Sequence, residues 1–343
     1  MNAHIETAHA QLLVCPVTKL RLELLSLREA EISLGGRLSP RSDLPNAKGG
    51  VSKPAGVTDT VLVREDNKCA YPVVNGIPVL LAPESLSISA DDPAFDLTDR
   101  RYAEAYEEME FYNTRASETI KELDHNGAWS VLPTEMAATE EEKRSFPSPW
   151  YRWIDAVHDS ASQWDSYSHL GAMPGKRLLQ VGGSGTHTIK FLMAGAAEAW
   201  LVTPMAGEAA FARGLADAAG VGERFWSVVG IAEELPFTSA AFDWIFTGGC
   251  LHHTVTELAL PEAARVLKPG GRFAAAEPWQ APLYAIGTKV LGKREDAYCR
   301  PLTPERLKSL DSSFSSTSLI RHGTLTRYPL LALEKFGIPI NKA

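Results

Sequence analysis

Residues able to do chemistry gather in a few short stretches of this sequence, most of them directly after apolar runs. Leu251-His252-His253 places two imidazoles side by side, and Glu277 stands immediately after the apolar run 273–276. Histidine titrates near neutral pH, so His253 is the first candidate for a general base, with His252 and Glu277 behind it. The glycine-rich turn Gly182-Gly183-Ser184-Gly185 offers different chemistry. Glycine takes φ > 0 without strain, and its missing Cβ lets a ligand touch the backbone, here at Gly183 and Gly185 above all. The helix start behind the turn adds free N–H groups for a ligand's electronegative atoms. A metal site is the weaker reading. His253 and Glu257 are four apart and His187 lies at a neighbouring strand end, but no tight ligand motif such as HExxH is present. We expect no metal.

Such residues need elements to place them. Residues 178–181 read as a buried strand, 186–196 as a helix, 197–205 as a second strand and 207–220 as an amphipathic helix ending at Gly220. A third strand and a loop occupy 225–237, a fourth strand 241–249, a helix closed by glycines 257–271, and a fifth strand 272–279. Alternation of strand and helix with short connections predicts an α/β fold, an open and mostly parallel sheet with helices on both faces. Ligands of such sheets bind at the carboxyl ends of the strands. The segments GGSGT, TPM, AEELPF, GGCLHHT and EPW all fall at such ends.

The 343 residues suffice for about two domains. A formal net charge of −8 gives no basic face for a nucleic acid, and no apolar run is long enough to span a bilayer. Four cysteines stand apart without a CxxC pair, and the first residues lack the basic start and apolar stretch of a secretory signal. The expected setting is cytoplasmic. The expected partners are a small-molecule substrate and, at most, a second copy of the chain in a homodimer, with no nucleic acid and no membrane. We divide the chain into a β-rich module at 1–88, a helical linker or lid at 89–170 and the α/β domain at 171–343. Within the linker, Tyr102, Tyr106, Met109 and Tyr112 keep helical spacing. Trp150, Tyr151, Trp153, His158, Trp164, Tyr167 and His169 form an aromatic segment that reads either as a substrate lid or as the packing face of a helix. Asn75-Gly76 between β-branched runs signals a hairpin.

In the first module, LLVCPVTKLRL and YPVVNGIPVLL resemble the two ends of the small zinc-ribbon family related to the activator subunit of tRNA and protein methyltransferases. That family's bacterial members often hold zinc with two CxxC pairs. Here Thr18 stands beside Cys15, and no second cysteine accompanies Cys69. Two thiolates without histidines cannot complete a tetrahedral site, so the module is expected to be metal-free and to pack on the main domain.

Residues 170–280 resemble the class I S-adenosylmethionine-dependent methyltransferases, especially the ubiquinone and menaquinone C-methyltransferases. The motifs carrying the likeness are LLQVGGSGT, AEELPFTSAAFDWIF, the LHH of 251–253 and ARVLKPGGRFAAAEP. The resemblance implies a Rossmann-like fold with S-adenosylmethionine as cofactor, its methionine part over the glycine turn and its adenine beside AEELPF. It assigns cofactor contacts to Gln180, Gly182, Gly183, Ser184, Gly185, Thr203, Glu208, Ile231, Ala232, Glu233 and Gly248. Three of the family's usual acids are replaced, by Gln180 near the glycine motif, by Thr203-Pro204-Met205 after the second strand, and by Ile231 before the AEELPF alanine. Glu208, Glu233 or Glu234 is expected to substitute, and Gly185→Val is expected to abolish ligand binding with the fold largely preserved. Lys289, Lys293, Arg294 and Arg300 lie in an insertion that would cover the acceptor and suit a carboxylate on it, or would form a solvated charged helix. Two functions stay open: methyl transfer to a small molecule of specialised or cofactor metabolism, or a methyltransferase fold that has lost transfer and binds another ligand or a partner subunit. For the first module the expected outcome is substoichiometric zinc in elemental analysis of the purified protein. One tightly held zinc per chain would overturn that reading.

Overall fold

The computed structural model describes residues 7–40, 57–89, 95–130, 160–280 and 300–322. The aromatic residues 150–158 and the basic residues 289–294 lie outside them. The chain begins with α1 (Thr7–Ala10), β1 (Leu22–Ser26), α2 (Leu27–Leu34), β2 (Ser39–Pro40), β3 (Val57–Arg64), β4 (Ala70–Val74), β5 (Ile77–Pro78) and β6 (Leu86–Ser87). The six strands form one antiparallel sheet in the order β1-β3-β4-β6-β2, with β5 beside β4. The turn between β4 and β5 holds Asn75 at φ 51° and Gly76 at φ 80°, the positive angles that a two-residue hairpin loop requires. Cys15 Sγ lies 3.2 Å from the Tyr71 hydroxyl.

Helix α3 (Arg100–Asn126) starts where the Asp99 carboxylate accepts the Arg101 N–H and stops at Gly127, which is left-handed. It buries Tyr102, Glu104, Met109 and Ala116. Helix α4 (Ser160–Leu170) buries Tyr167 beside Phe191 and Phe246 at ring separations of 5.2 and 5.5 Å, so this part of the aromatic segment is packing face.

The parallel sheet follows as β7 (Arg177–Val181), α5 (Thr186–Met193), β8 (Glu198–Thr203), α6 (Ala206–Ala218), β9 (Phe225–Val229), β10 (Phe242–Gly248), α7 (Thr256–Val266) and β11 (Leu267–Ala276). Its order is β11-β10-β7-β8-β9 with every neighbour parallel. The order therefore reverses between β7 and β10, the place where such sheets open a crevice at their carboxyl ends. The expected long helix 257–271 is corrected. It stops at Val266, and 267–271 already belong to β11, whose pairing jumps from Phe242↔Leu267 to Trp244↔Arg272. Pro269 lacks a donor N–H, and Gly270 sits at φ 75°, so this stretch continues neither a helix nor an even ladder.

β9 is the edge of the parallel sheet, yet all five of its residues are buried. The first module covers it. Leu80 N–H donates to Val229 O at 2.8 Å, Val14 N–H to Pro236 O at 3.1 Å, and Thr238 N–H to Leu12 O at 2.9 Å. His9 stacks on Trp226 at 3.7 Å, and one core runs from Leu62, Tyr71 and Leu80 into Trp200, Val228 and Phe237. An uncovered edge strand would leave unpaired N–H and C=O groups beside exposed apolar side chains.

The glycine turn is built into this packing. Gly185 sits at φ 79°, and a Cβ there would lie 2.5 Å from Ala212 Cβ and 3.1 Å from Leu201 Cδ2. Gly185 thus lets α5 approach α6, and the expectation that Gly185→Val would spare the fold is corrected. Left-handed strain and overpacking together predict that Gly185→Ala destabilises by ~2–4 kcal/mol in urea unfolding. A loss under about 0.5 kcal/mol, the range of ordinary surface changes, would sink this account.

Candidate functional site

The crevice between β7 and β10 is walled by the glycine turn on one side and the loop after β10 on the other. Three glycines of the turn share positive φ but face different surroundings. Gly182 is buried, and a Cβ there would meet Cys250 Sγ at 2.3 Å. Gly185 faces the core as described. Gly183 is exposed with only Gln180 Nε2 within reach of a Cβ, at 3.4 Å, and Ser184 beside it is half-buried. Gly183 and Ser184 are therefore the part of the turn a ligand can touch. Gln180 does not reach the crevice. Its Nε2 donates to Gly182 O at 2.8 Å, and its Oε1 accepts from Thr188 N and Thr188 Oγ1, both at 2.7 Å. An amide serves this double duty because it both donates and accepts. Gly248, half-buried at the end of β10, is packed closely, since a Cβ there would lie 3.0 Å from Phe246 Cε1 and 3.3 Å from His187 Nε2.

Glu277, at the end of β11, organises the loop opposite. Its Oε1 accepts from Cys250 N and Leu251 N, each at 3.0 Å, and from Thr247 Oγ1 at 3.1 Å. Its Oε2 accepts from His252 N at 3.3 Å and lies 2.9 Å from His252 Nδ1. Burial by itself would push this carboxyl up, but the His252 imidazole and the backbone N–H groups outweigh it and hold it below the usual range. Glu277 is thus a fixed anion that anchors a loop and orients His252, an arrangement unlike that of a general base. His252 is itself buried.

His253 is half-buried, and its Nδ1 faces α3, where it bonds Glu104 Oε1 and lies 3.5 Å from Glu108 Oε1. Glu104 is 6% exposed, with Arg300 Nη2 at 3.8 Å from its Oε2. Burial pushes the Glu104 carboxyl up to about 8 and the His253 imidazole down. Glu104, Glu108 and His253 bring one ligand atom each within 4.8 Å of one another, and Arg300 supplies the positive charge that a cation would bring. His253 turns to α3, while Glu257, four residues on, is exposed. His187 bonds Tyr167. Arg300, expected to face an acceptor, faces Glu104.

The remaining cofactor positions divide. Thr203 ends β8 and donates through Oγ1 to Glu208 Oε2 at 3.1 Å, so Glu208 brings a carboxylate back to the strand end from the first turn of α6. Ile231 is 4% exposed and packs with Tyr102, Met109 and Met205 beneath α3, and Ala232 is also buried. Glu233 is corrected. Its Oε1 accepts Val255 N–H at 2.7 Å at the start of α7, with burial raising its carboxyl to about 7. Glu234 accepts from Arg101 Nη1 at 2.7 Å and Tyr102 OH at 2.8 Å. Glu104 was missed from the sequence because α3 carries several glutamates and nothing in their spacing marks the one that becomes buried.

Residues 179–275 match the family described as Methyltransferase domain. That match, with the parallel order and the glycine turn behind β7, makes this a class I methyltransferase fold of Rossmann-like type. Across 133 residues the chain is 40% identical to the ubiquinone/menaquinone biosynthesis C-methyltransferase UbiE of Cereibacter sphaeroides (strain ATCC 17029 / ATH 2.4.9), covering 38% of this chain and 50% of that protein. It is 37% identical over 112 residues to the demethylmenaquinone methyltransferase of Mycolicibacterium paratuberculosis, covering 32% and 45%. The chain spans about half the length of these curated relatives. Among solved structures, the [4+2]-cyclase SpnF aligns over 52% of this chain and 66% of its own at 24% identity and a TM-score of 0.41.

The buried Glu233 yields a test of sign. Its proton leaves the folded chain near pH 7 and the unfolded chain near its ordinary value of 4.5. Between those values the folded state binds more protons, so this group's contribution to stability falls as pH rises. Glu233→Gln keeps an oxygen for Val255 N–H and removes the titration. Its stability relative to the parent should rise from acid to alkaline pH by up to ~3 kcal/mol. A pH-independent difference in urea unfolding would show that Glu233 is already ionised when folded.

Proposed function

We propose that the chain transfers a methyl group from S-adenosylmethionine to a small-molecule acceptor of the quinone or quinol ring type for which its curated relatives are named. The observation that carries this reading is the open backbone at Gly183 at the carboxyl end of β7, opposite the loop that bears both histidines. When bound there, the cofactor supplies a methyl group on a sulfonium, whose transfer is an in-line displacement governed by positioning. Gly183 and Ser184 would hold its methionine part, and Glu208, held at Thr203, would meet its ribose hydroxyls. Ile231 and Ala232 would form the floor of the adenine side. His253 would take the acceptor's proton, while His252 is fixed by Glu277.

In the same reading the first module acts as a metal-free brace on β9, 89–170 as the cover and 171–343 as the catalytic unit, working alone or as a homodimer. A cytoplasmic setting fits the lack, among the described residues, of any helix long and apolar enough to cross a membrane. The burial of Ile231 beneath α3 favours a second reading, a fold that has lost methyl transfer.

Calorimetry separates the two. Burying ribose donors unpaired costs ~1–3 kcal/mol each. Glu208→Gln should therefore weaken S-adenosylmethionine binding by roughly tenfold or more, equivalent to ~1.4 kcal/mol. A wild-type protein without measurable binding would decide for the second reading. Tight binding unchanged in the variant would refute the role of Glu208.

A further inference from the structure

Helix α3 lies outside the parallel sheet, yet its Glu104 bonds His253 on the loop after β10. We propose that Glu104 is a positioning residue that holds His253 by Nδ1, leaving Nε2 to take the hydroxyl proton of a protic aromatic acceptor. The inference rests on the methyl-transfer reading above and narrows it to acceptors that carry an ionisable hydroxyl next to the carbon attacked.

The geometry gives each nitrogen a separate task. Nδ1 bonds Glu104 Oε1, and Nε2 makes no hydrogen bond among the described residues. With Glu104 ionised, its oxygen can only accept, so the imidazole proton must sit on Nδ1 and the lone pair on Nε2. The same carboxylate then stabilises the imidazolium that forms when Nε2 takes a proton. A carboxylate this buried needs partners. Glu104 has one in His253 and a second charge in Arg300, while among the described residues its Oε2 accepts no hydrogen bond.

The helix that carries Glu104 is held against the sheet's loops at three points. Arg101 and Tyr102 both bond Glu234, and Asn113 Oδ1 accepts Gly207 N–H at 2.7 Å. These contacts lie on both sides of Glu104 along α3, so the carboxylate has little freedom to leave His253.

The ring hydroxyl would lose its proton to Nε2 as the neighbouring ring carbon takes the methyl group, whose bond to sulfur breaks with the electron pair left on the thioether of S-adenosylhomocysteine. The ring C–H proton then passes to solvent, which restores the aromatic ring. The imidazolium returns its proton to the product oxygen.

Burial raises Glu104 and lowers His253, so ionisation near neutrality belongs to the pair. Other charged groups facing it are Glu107 and Glu108 on α3, Glu233 after β9, His252 and Glu277 after β10 and β11, and Arg300 and Arg306 from the segment that follows. The base-competent form exists above the pair's apparent pKa. Removing the Glu104 anion lowers the pKa of His253 and frees its tautomer.

The test uses the full chain, S-adenosylmethionine and a demethylmenaquinol carrying one prenyl unit. In Glu104→Gln the acid limb of the pH–rate profile should move down by about one unit or more, and kcat should fall roughly tenfold or more. A lower kcat with the limb unmoved would reduce Glu104 to a packing residue and overturn the proposal. Nitrogen-15 titration of the imidazoles, with His253 assigned through His253→Gln, reads the pair without turnover. It should show Nδ1 protonated above the pair's midpoint in the wild type, and a lower midpoint in Glu104→Gln. A wild-type His253 protonated on Nε2 under those conditions would overturn the proposal even if the variant failed to fold, as would one tightly bound divalent cation per chain. Absent S-adenosylmethionine binding in calorimetry would instead sink the methyl-transfer reading, and the titration would still decide whether the pair exists.

Discussion

The buried carboxylate of Glu277 holds the place where the two halves of the parallel sheet diverge. It accepts three backbone N–H groups and the Thr247 hydroxyl, and it pairs with the His252 imidazole. A carboxylate this deep is tolerable only with its lone pairs satisfied. Meeting that condition curls 250–253 into a tight turn over the glycine loop. Cys250 is thereby pressed against Gly182, which leaves Gly183 as the open backbone of the turn. His252 is fixed by Glu277 after β11, and the His253 ring, only 3.9 Å from it between centroids, bonds Glu104 on α3 instead. A difference of one residue thus separates a histidine anchored by Glu277 from one whose Nε2 makes no hydrogen bond among the described residues.

The second constraint is the edge of the sheet. Parallel strands buried on both faces read as continuous apolar runs, and β9 is one although it has a strand on one side only. The antiparallel module, α1 and α3 together close that edge. The cover is also electrostatic. Lys19 bonds Glu262 on α7 at 2.7 Å, and Arg101 bonds Glu234 at the same distance. The first module and the linker therefore share a core and polar ties with the parallel domain. A change in α3 reaches both the packing of Ile231 and the environment of His253.

The polar residues around the strand ends take unlike roles. Gln180 ties the glycine turn to α5 with both ends of its amide. Glu233 holds a helix start, Glu234 holds α3, and Glu208 reaches back to the end of β8. Similar carboxylates a few residues apart take unrelated roles because each is aimed by its own backbone position and by whichever donor lies within reach.

Much of the architecture was legible in the residues themselves. The five parallel strands, the glycine turn, the hairpin at Asn75-Gly76 and the helix from Arg100 follow from local periodicity and from glycine's tolerance of positive φ, properties that a short window of sequence contains. The positions of the candidate residues at strand ends followed too, since alternation of strand and helix fixes which end faces the crevice. Side-chain roles did not follow. Gly183 and Gly185 are the same residue two positions apart, yet one faces a ligand and the other faces Ala212. Glu104 looks like any other glutamate of an acidic helix until α3 is laid against the loop after β10. Pattern is set by chemistry within a few residues, whereas a partner 149 positions away along the chain exists only once packing has brought two elements together.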